Sequence, residues 1–319
     1  MLGLAREDTR GTFKQPDMWV PTRSPSGLQP QKEETLIEET RNTAVQSQGA
    51  EITQKRAEGD TELNVRNKSI AYILENILGN SSTTSQGDGT YEHAITIKTD
   101  SPKNPTLSMA LSQPGQQDYG FSGYQGGEIT LTVETDDLVY ASITGQARNM
   151  EEQADFTVNF VDDDHYFRHQ DVVVEMADTV GSSWSSVGIR DLGLTINNSA
   201  NLRQDIGALT AKDIVAGLFS ITGSFTLDQT GQTYQDLFWD NTPRALRITM
   251  NRSNKEIGTG SQNPNIVITL PFITFNDFSP DRSRDEVVTN EMSFTAHYDD
   301  SEAKAIEVKV INEDSNLGS

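Results

Sequence analysis

Apolar and polar residues alternate one by one along most of this 319-residue chain. The clearest run has Ile129, Leu131 and Val133 as its apolar members and Glu128, Thr130, Thr132 and Glu134 as its polar members. The pattern recurs at Phe156/Val158/Phe160, Leu192/Leu194/Ile196, Phe225/Leu227, Leu246/Ile248/Met250, Ile266/Ile268/Leu270 and Met292/Phe294/Ala296. Alternation of this kind is typical of strands with one buried and one solvated face. Many such strands separated by turn residues predict a mainly β sandwich or barrel.

One segment departs from the alternation and predicts an α-helix over residues 69–79. Its apolar residues fall on one helical stripe: Ile70, Ile73, Leu74, Ile77 and Leu78. We expect Ser69 to cap the start of the helix and Gly79-Asn80 to end it. The stripe predicts a helix that flanks the sheet and packs on its core.

The two halves of the sequence repeat a common pattern. Residues 104–111 and 263–270 both begin with Asn-Pro and continue into an alternating strand. Upstream, Gly59 and Gly223 are followed by apolar residues at matching offsets, which makes 233–239 the counterpart of the helix. Two blocks in the same order indicate a duplication, with one small β-sandwich and a flanking helix in each half.

This pattern divides the chain into four segments. Residues 1–34 contain four prolines, which block helices and sheet ladders, and predict an extended arm. Trp19 and Val20 are its main apolar anchor, so we expect them to contact another subunit or ring. Residues 35–147 form the first half, residues 148–183 the crossover, and residues 184–319 the second half with a C-terminal extension.

The charge balance limits the possible partners. The chain has 25 Lys+Arg against 47 Asp+Glu, a net charge of −22, which disfavours tight binding of DNA. It contains no cysteine, so disulfides and thiolate sites are excluded. No apolar stretch approaches the length of a membrane span, and the N-terminus lacks the layout of a signal peptide. We therefore expect a protein made in the host cytoplasm.

The sequence offers few residues for catalysis. The best candidate is the run Asp162-Asp163-Asp164-His165-Tyr166-Phe167-Arg168-His169, but its two histidines would share a face only on a helix, and the flanks indicate strands. No serine nucleophile elbow or phosphate loop is present. We expect no enzyme, no cofactor and no metal. Gly87-Asp88-Gly89 predicts a hairpin turn.

Arginines concentrate in the second half. Arg203, Arg282 and Arg284 could pair with acidic groups across a subunit or ring interface, where charge complementarity fixes register. They could equally be scattered surface charges.

In order and spacing, the sequence resembles the tail tube proteins of long-tailed viruses over nearly its whole length. The residues that carry the resemblance are Leu2-Gly3-Leu4-Ala5-Arg6-Glu7, Gly11-Thr12, Trp19-Val20-Pro21, Gly59, the helix to Gly79, Tyr91-Glu92-His93-Ala94-Ile95-Thr96, Leu270-Pro271 and Phe294-Thr295-Ala296. The resemblance implies a β-sandwich whose inner sheets join into a ring-shaped barrel, with rings stacked in the virion tail.

The resemblance also implies partners. Rings would be hexamers, or trimers with pseudo-sixfold symmetry if the chain is duplicated. Tape-measure, tail-tip and tail-terminator proteins would bind the tube, and genomic DNA would pass through it without specific binding. Glu128, Thr130, Thr132 and Glu134 would line the lumen, although the same face could be the solvent side of a sandwich. The alternatives are a capsid decoration or tail-terminator protein, and a secreted β-sandwich binding module.

Overall fold

A computed structural model of the chain describes residues 1–24, 27–41, 44–161, 163–228, 232–260, 262–281 and 288–317. The strands of the first half are β1 (Leu2–Arg6), β2 (Met18–Val20), β3 (Gln29–Leu36), β4 (Ala50–Asn64), β5 (Gly79–Ser85), β6 (Tyr91–Ile97), β7 (Leu107–Leu111), β8 (Asp118–Glu134), β9 (Tyr140–Ala147) and β10 (Asn149–Gln153). The later strands are β11 (Val172–Ala177), β12 (Ser185–Ser186), β13 (Ile189–Asn197), β14 (Asn201–Arg203), β15 (Asp213–Val215), β16 (Ser220–Asp228), β17 (Arg244–Asn251), β18 (Asn265–Asp281), β19 (Thr289–Ala296) and β20 (Glu307–Asn312). The helices are α1 (Ser69–Leu78) and α2 (Thr233–Trp239), and a 3₁₀ turn covers His169–Asp171.

Eight antiparallel strands form one continuous sheet, which we call the main sheet. Its order is β3–β4–β9–β8–β13–β16–β19–β18. The first four strands come from the first half of the chain and the last four from the second half. The β8–β13 pair therefore joins the two halves, and we call it the internal junction.

Outer sheets cover one face of the main sheet. The long strands β8 and β18 belong to both layers: β8 pairs with β7 and β10 before it pairs with β9 and β13. In the same way β18 pairs with β17 and β20 before it lies beside β19. Ile129 and Leu194 of the main sheet face Met250 and Ile268 of the outer layer. The predicted β-sandwich is confirmed, and the main sheet does not close into a barrel within the described part of the chain.

The alternating pattern predicts the main sheet correctly. Ile129, Leu131 and Val133 are buried, whereas the polar residues between them are not. The pattern is wrong at Phe156/Val158/Phe160, where residues 154–159 form no strand. There, the Phe156 ring packs against Phe13 and Trp19, and its amide donates to the Asp118 carboxylate at 2.7 Å. These contacts fix the segment without a sheet ladder.

Helix α1 is buried at every position between the two layers. It ends as predicted, because Gly79 follows Leu78 in the left-handed conformation with φ +97°. The predicted Ser69 cap is wrong. The N-cap residue is Lys68, and the distant Asp164 carboxylate accepts from the amides of Lys68 at 2.8 Å and Ser69 at 3.3 Å.

Strands β1 and β2 of the first segment pack on the chain itself. Strand β1 pairs with β7 and with β2. Trp19 is only 6 % exposed and Val20 is fully buried, so this conformation does not offer them to another subunit. The apolar residues of the segment bury enough surface within the chain to offset the prolines around them. The predicted division into four segments remains a prediction.

Three local features support the duplication. Strands β4 and β16 are each followed by a four-residue connection and a helix. Helix α1 lies on β8, and α2 lies on β18, its counterpart in the second half. Both ladders also shift register at the same place, between Gly126 and Glu128 beside β9 and between Phe275 and Asp277 beside β19. A shared β-bulge at equivalent positions is a specific structural feature rather than a general property of sheets.

Candidate assembly surface

The face of the main sheet that points away from the outer layer is polar. Glu128, Thr130, Thr132 and Glu134 lie on this face, which we call the polar face. On β13 their cross-strand neighbours are Asn197, Thr195, Gly193 and Asp191. On β9, Thr144, Ser142 and Tyr140 lie opposite Glu128, Thr130 and Thr132. The polar face continues across β16 and β19 with Ser220, Thr222, Ser224, Thr226, Thr295, Ser293, Glu291 and Thr289. The four predicted lumen residues therefore share one surface, and it extends across both halves.

Carboxylates outnumber basic groups on the polar face. Strand β4 adds Glu58, Asp60 and Glu62, which lie opposite the polar residues of β9. The arginines that reach this face lie near its rim and are neutralised by carboxylates within the chain. Their ion pairs are Arg23 with Glu62 and Asp137, Arg56 with Glu33 and Glu58, and Arg190 with Asp228. The polar face is thus net negative and rich in hydroxyl groups.

One of these ion pairs at the rim shifts the pKa values of both its members. Arg23 donates to the Asp137 carboxylate at 2.9 Å and forms an ion pair with the Glu62 carboxylate at 3.0 Å. The hydrogen bond from Arg23 lowers the pKa of Asp137, and the same bond raises the pKa of Arg23. The Arg23 guanidinium also lies 4.3 Å from the centre of the Tyr140 ring. These contacts hold the segment before β3 against β4 and β9.

The main sheet ends in two open edges. Within the described residues, β3 has a ladder only with β4, and residues 277–281 of β18 have a ladder only with β19. On the β18 edge, the Phe278 amide donates to the Asp277 carboxylate of its own strand at 2.8 Å. An exposed edge of a large sheet is a template for pairing with another chain. The two edges lie at opposite ends of the strand order, so they suit a head-to-tail contact between copies.

The internal junction shows how such edges fit together. It aligns seven residue pairs, from Asp191 opposite Glu134 to Asn197 opposite Glu128. The Asn197 amide donates to Glu128 at 2.7 Å, and the Thr130 and Thr195 hydroxyls are 3.0 Å apart. Buried Asn198 extends the junction. Its amide side chain donates to the carbonyl oxygens of Ile77 at 3.1 Å and Gly126 at 2.8 Å.

The other predicted contact residues are not brought together. Arg203 lies exposed on β14, which pairs with β15 in a separate hairpin. Arg282 and Arg284 lie outside the described residues. Trp19 and Val20 are buried at the opposite side of the first half, against β1 and the Phe156 ring. These predictions of contact roles stay predictions.

The acidic run with two histidines makes hydrogen bonds to other elements of the fold. Asp164 caps α1, and its burial raises the pKa of its carboxyl group. The His169 amide donates to the Asp137 carbonyl at 3.2 Å, and the His165 amide donates to the Asn67 side chain at 2.7 Å. Asp162 is outside the described residues. The part of the chain that the structure describes contains no group of three or more potential metal ligands.

The edge residues are the functional feature that sequence reasoning missed. A signal was present, because Gly27-Leu28-Gln29-Pro30-Gln31 and Gly193-Leu194-Thr195-Ile196-Asn197 share a Gly-Leu start and an amide end. Pro30 in the first of these two segments conceals the strand pattern. The match becomes visible only when the register places both segments beside equivalent parts of β4 and β16.

The comparisons with known proteins agree with this architecture. The phage tail tube protein family matches residues 2–296, nearly the whole chain. Comparison with curated proteins gave no significant match. Among the described residues, no helix has both the length and the apolar character needed to span a membrane. An open-edged, mainly β sandwich and a match of this extent lead to one conclusion: the chain belongs to the phage tail tube protein family, whose members are structural proteins of the virion tail.

Proposed function

We propose that three copies of this chain join head to tail through their open edges, and that the resulting rings stack into the tube through which the genome leaves the virion. The observation that carries the proposal is the internal junction. It joins two equivalent four-strand units, and it leaves one unpaired edge of each kind at the two ends of the main sheet. Each open edge is the counterpart of a strand that is already paired inside the chain.

The size of the ring follows from the strand count. Each copy contributes the eight strands of the main sheet, so three copies supply 3 × 8 = 24 strands. At about 4.8 Å per strand the circumference is roughly 115 Å and the backbone diameter about 37 Å, before strand tilt widens it. A ring of this size admits a double helix. Six equivalent four-strand units give it pseudo-sixfold symmetry.

The polar face suits the inside of such a ring. Its apolar counterpart is already covered by the outer layer, so ring closure leaves the carboxylates and hydroxyls facing the channel. Duplex DNA carries one negative charge per about 1.7 Å of its axis, and a negative wall repels it. Residues such as Glu128 and Glu134 would keep the DNA from adhering to the channel wall while it moves. The role is structural and requires no cofactor and no catalysis.

Assembly in the virion involves further tail proteins. A net charge of −22 makes copies repel one another in solution, so free protein should assemble slowly and in a salt-dependent way. A tail-tip complex would supply the first ring surface, a tape-measure protein would occupy the lumen during assembly, and a terminator would close the tube.

Electron microscopy and native mass spectrometry test this proposal on the full chain. Purified protein should remain a small species at low salt and form hollow, stacked rings of three copies per ring when salt is raised. Sedimentation follows the transition. A monomer that stays compact at every salt and protein concentration would contradict the proposal, as would rings that lack a central channel.

A further inference from the structure

We infer that the contact between copies repeats the register of the internal junction, so that Asp277 of one copy lies directly opposite Gln31 of the next. The inference rests on the proposed ring and adds its interface at the level of single residues. The occupant of the β18 edge is the β3 edge of a second copy of this chain. The internal junction serves as the structural template for this contact.

The β18 side of the template follows from the shared bulge. Glu128 is the first residue after the bulge in β8 and lies opposite Thr144 of β9. Asp277 is the first residue after the bulge in β18 and lies opposite Ser293 of β19. Since both bulges occupy the same place beside equivalent strands, Asp277 is the counterpart of Glu128. Phe278 and Ser279 then correspond to Ile129 and Thr130.

The β3 side follows from two tight glycine contacts. A Cβ atom added to Gly59 would collide with the carbonyl oxygen of Gly27, and one added to Gly223 would collide with the carbonyl oxygen of Gly193. Gly27 and Gly193 therefore occupy the same place beside β4 and β16. Counting forward in register gives the further pairs of counterparts Gln29 and Thr195, Pro30 and Ile196, and Gln31 and Asn197.

The polar sides of the two edges are chemically matched in this register. Inside the chain, the Asn197 amide donates to the Glu128 carboxylate. Between copies, the Gln31 amide would meet the Asp277 carboxylate, which repeats an amide–carboxylate pair. The next polar pair replaces the Thr130–Thr195 hydroxyl contact with Ser279 and Gln29. Both sets are short polar pairs that suit adjacent strands.

The apolar sides match as well. At the internal junction, Ile129, Ile196 and Leu74 of α1 line one small apolar cavity. At the open edge, Phe238 of α2 is the counterpart of Leu74, and its ring stacks on Phe278 at 6.3 Å between centroids. Phe278 and Phe238 are only half-buried in the single chain. Pro30 of the next copy would lie beside them, as Ile196 lies opposite Ile129 in the internal junction.

Engineered cysteines test the register directly, because the chain has none of its own. The Asn198 amide donates to Gly127 across the internal junction at 2.8 Å, so the adjacent pair Asn197 and Glu128 is not hydrogen-bonded through the backbone. Such pairs have Cα atoms about 4.5 Å apart, within the range that a disulfide spans. The test variant carries Asp277→Cys together with Gln31→Cys in the full chain.

Three further variants serve as controls or as a second test. Glu128→Cys with Asn197→Cys should form a disulfide within each chain whether or not the protein assembles. Ser279→Cys with Gln29→Cys provides a second in-register pair between copies, in case the first variant folds poorly. Asp277→Cys with Gln29→Cys moves one partner by two residues, which increases the separation to about 7–8 Å.

Under assembly conditions with mild oxidation, we expect both in-register pairs to give cross-linked dimers and a closed trimer on a non-reducing gel. The offset pair should cross-link much less. Equal cross-linking of the offset pair would overturn the inferred register. Hollow rings without cross-links in either in-register variant would overturn the register and leave the proposed function standing. Absence of rings in the unmodified chain would overturn both.

Discussion

In the inferred register, the open edges of two copies would meet with the geometry of the internal junction but with different chemistry. At the internal junction Ile129, Leu131, Leu194 and Ile196 are buried between the layers, where they line a small apolar cavity. At the open edges Phe278 and Pro280 face Leu28 and Pro30 of the next copy in the inferred register. The first contact forms with the fold and is permanent. The second replaces two of the four branched aliphatic residues with prolines, which suits a contact that forms only when a neighbouring copy is present.

The two prolines weaken the outer ladder at specific places. The amides of Gly27 and Arg23 donate to β4, so those of the alternate residues, including residue 30, point outward. In β18 the Phe278 amide donates to the Asp277 side chain of its own strand, and we expect the amides of residues 278 and 280 on the outward side as well. Proline has no N–H, so each removes one hydrogen bond from the contact between copies. A ladder with missing bonds limits premature pairing.

The largest expected effect is on the free energy of unfolding, and it distinguishes Ile129 from its counterpart Phe278. Ile129→Ala removes a side chain that is 3 % exposed, so we expect it to lower the free energy of unfolding by about 2–5 kcal/mol. Phe278→Ala should change unfolding of the single chain much less, because Phe278 is half-buried. It should instead suppress ring formation. Thermal unfolding and sedimentation of both variants check the contrast, and equal destabilisation of the single chain would contradict it.

The next effect concerns Asn198, the buried polar residue that extends the internal junction. Asn198→Ala leaves the carbonyl oxygens of Ile77 and Gly126 without these donors in a buried place, which costs about 1–3 kcal/mol. Asn201→Ala is a matched control, since Asn201 is exposed and its side chain bonds only locally to the Ser199 carbonyl among its described contacts. Denaturant unfolding should separate the two variants. A control as destabilised as Asn198→Ala would show that the effect is not specific to the junction.

Sequence patterns were sufficient for the elements that obey a local rule. The alternation of residues 128–134 predicted both faces of β8, and the stripe from Ile70 to Leu78 predicted α1. The match between Gly59 and Gly223 predicted the place of α2 at Thr233–Trp239. The first two signals depend only on residues near one another in the chain, and the third on a repeated pattern between the two halves. The polar face could be predicted for β8 for the same reason.

Features that depend on distant contacts could not be read in this way. The α1 cap comes from Asp164, far along the chain, and so Ser69 was the nearer but wrong choice. The prolines of the first segment concealed that Trp19 and Val20 are buried in the chain's own layer. The open edges were also hidden, because whether a strand has one neighbour or two is a property of the sheet order rather than of the strand.

A smaller effect is expected from restoring the missing hydrogen bonds at the edges. Pro280→Thr adds an outward N–H to β18, and one such bond contributes about 0.5–1.5 kcal/mol. We expect the protein concentration needed for ring formation to fall by roughly 2- to 10-fold, as measured by sedimentation at fixed salt. Pro114→Thr, in an exposed turn, is the control and should leave assembly unchanged. Slower assembly of Pro280→Thr would show that Pro280 does not limit the pairing of edge strands between copies.

The smallest effect concerns Arg23, whose contacts hold the segment before β3 against β4 and β9. Strand β3 itself pairs only with β4 among the described strands. Arg23→Gln removes the hydrogen bond that lowers the pKa of Asp137, so that pKa should rise toward its ordinary value in an NMR titration. A carboxyl group with a lowered pKa stabilises the fold above its unfolded pKa, and this contribution is lost as pH falls through the folded pKa. The wild type should therefore exceed the variant in stability near neutral pH, with the two converging in acid. Since Arg23 precedes β3, the variant should also form rings slightly more slowly than the wild type near neutral pH. An unchanged pKa of Asp137 would mean that the pair does not form in solution, and the edge must then be held by the backbone contacts of Arg23 and Gly27 alone.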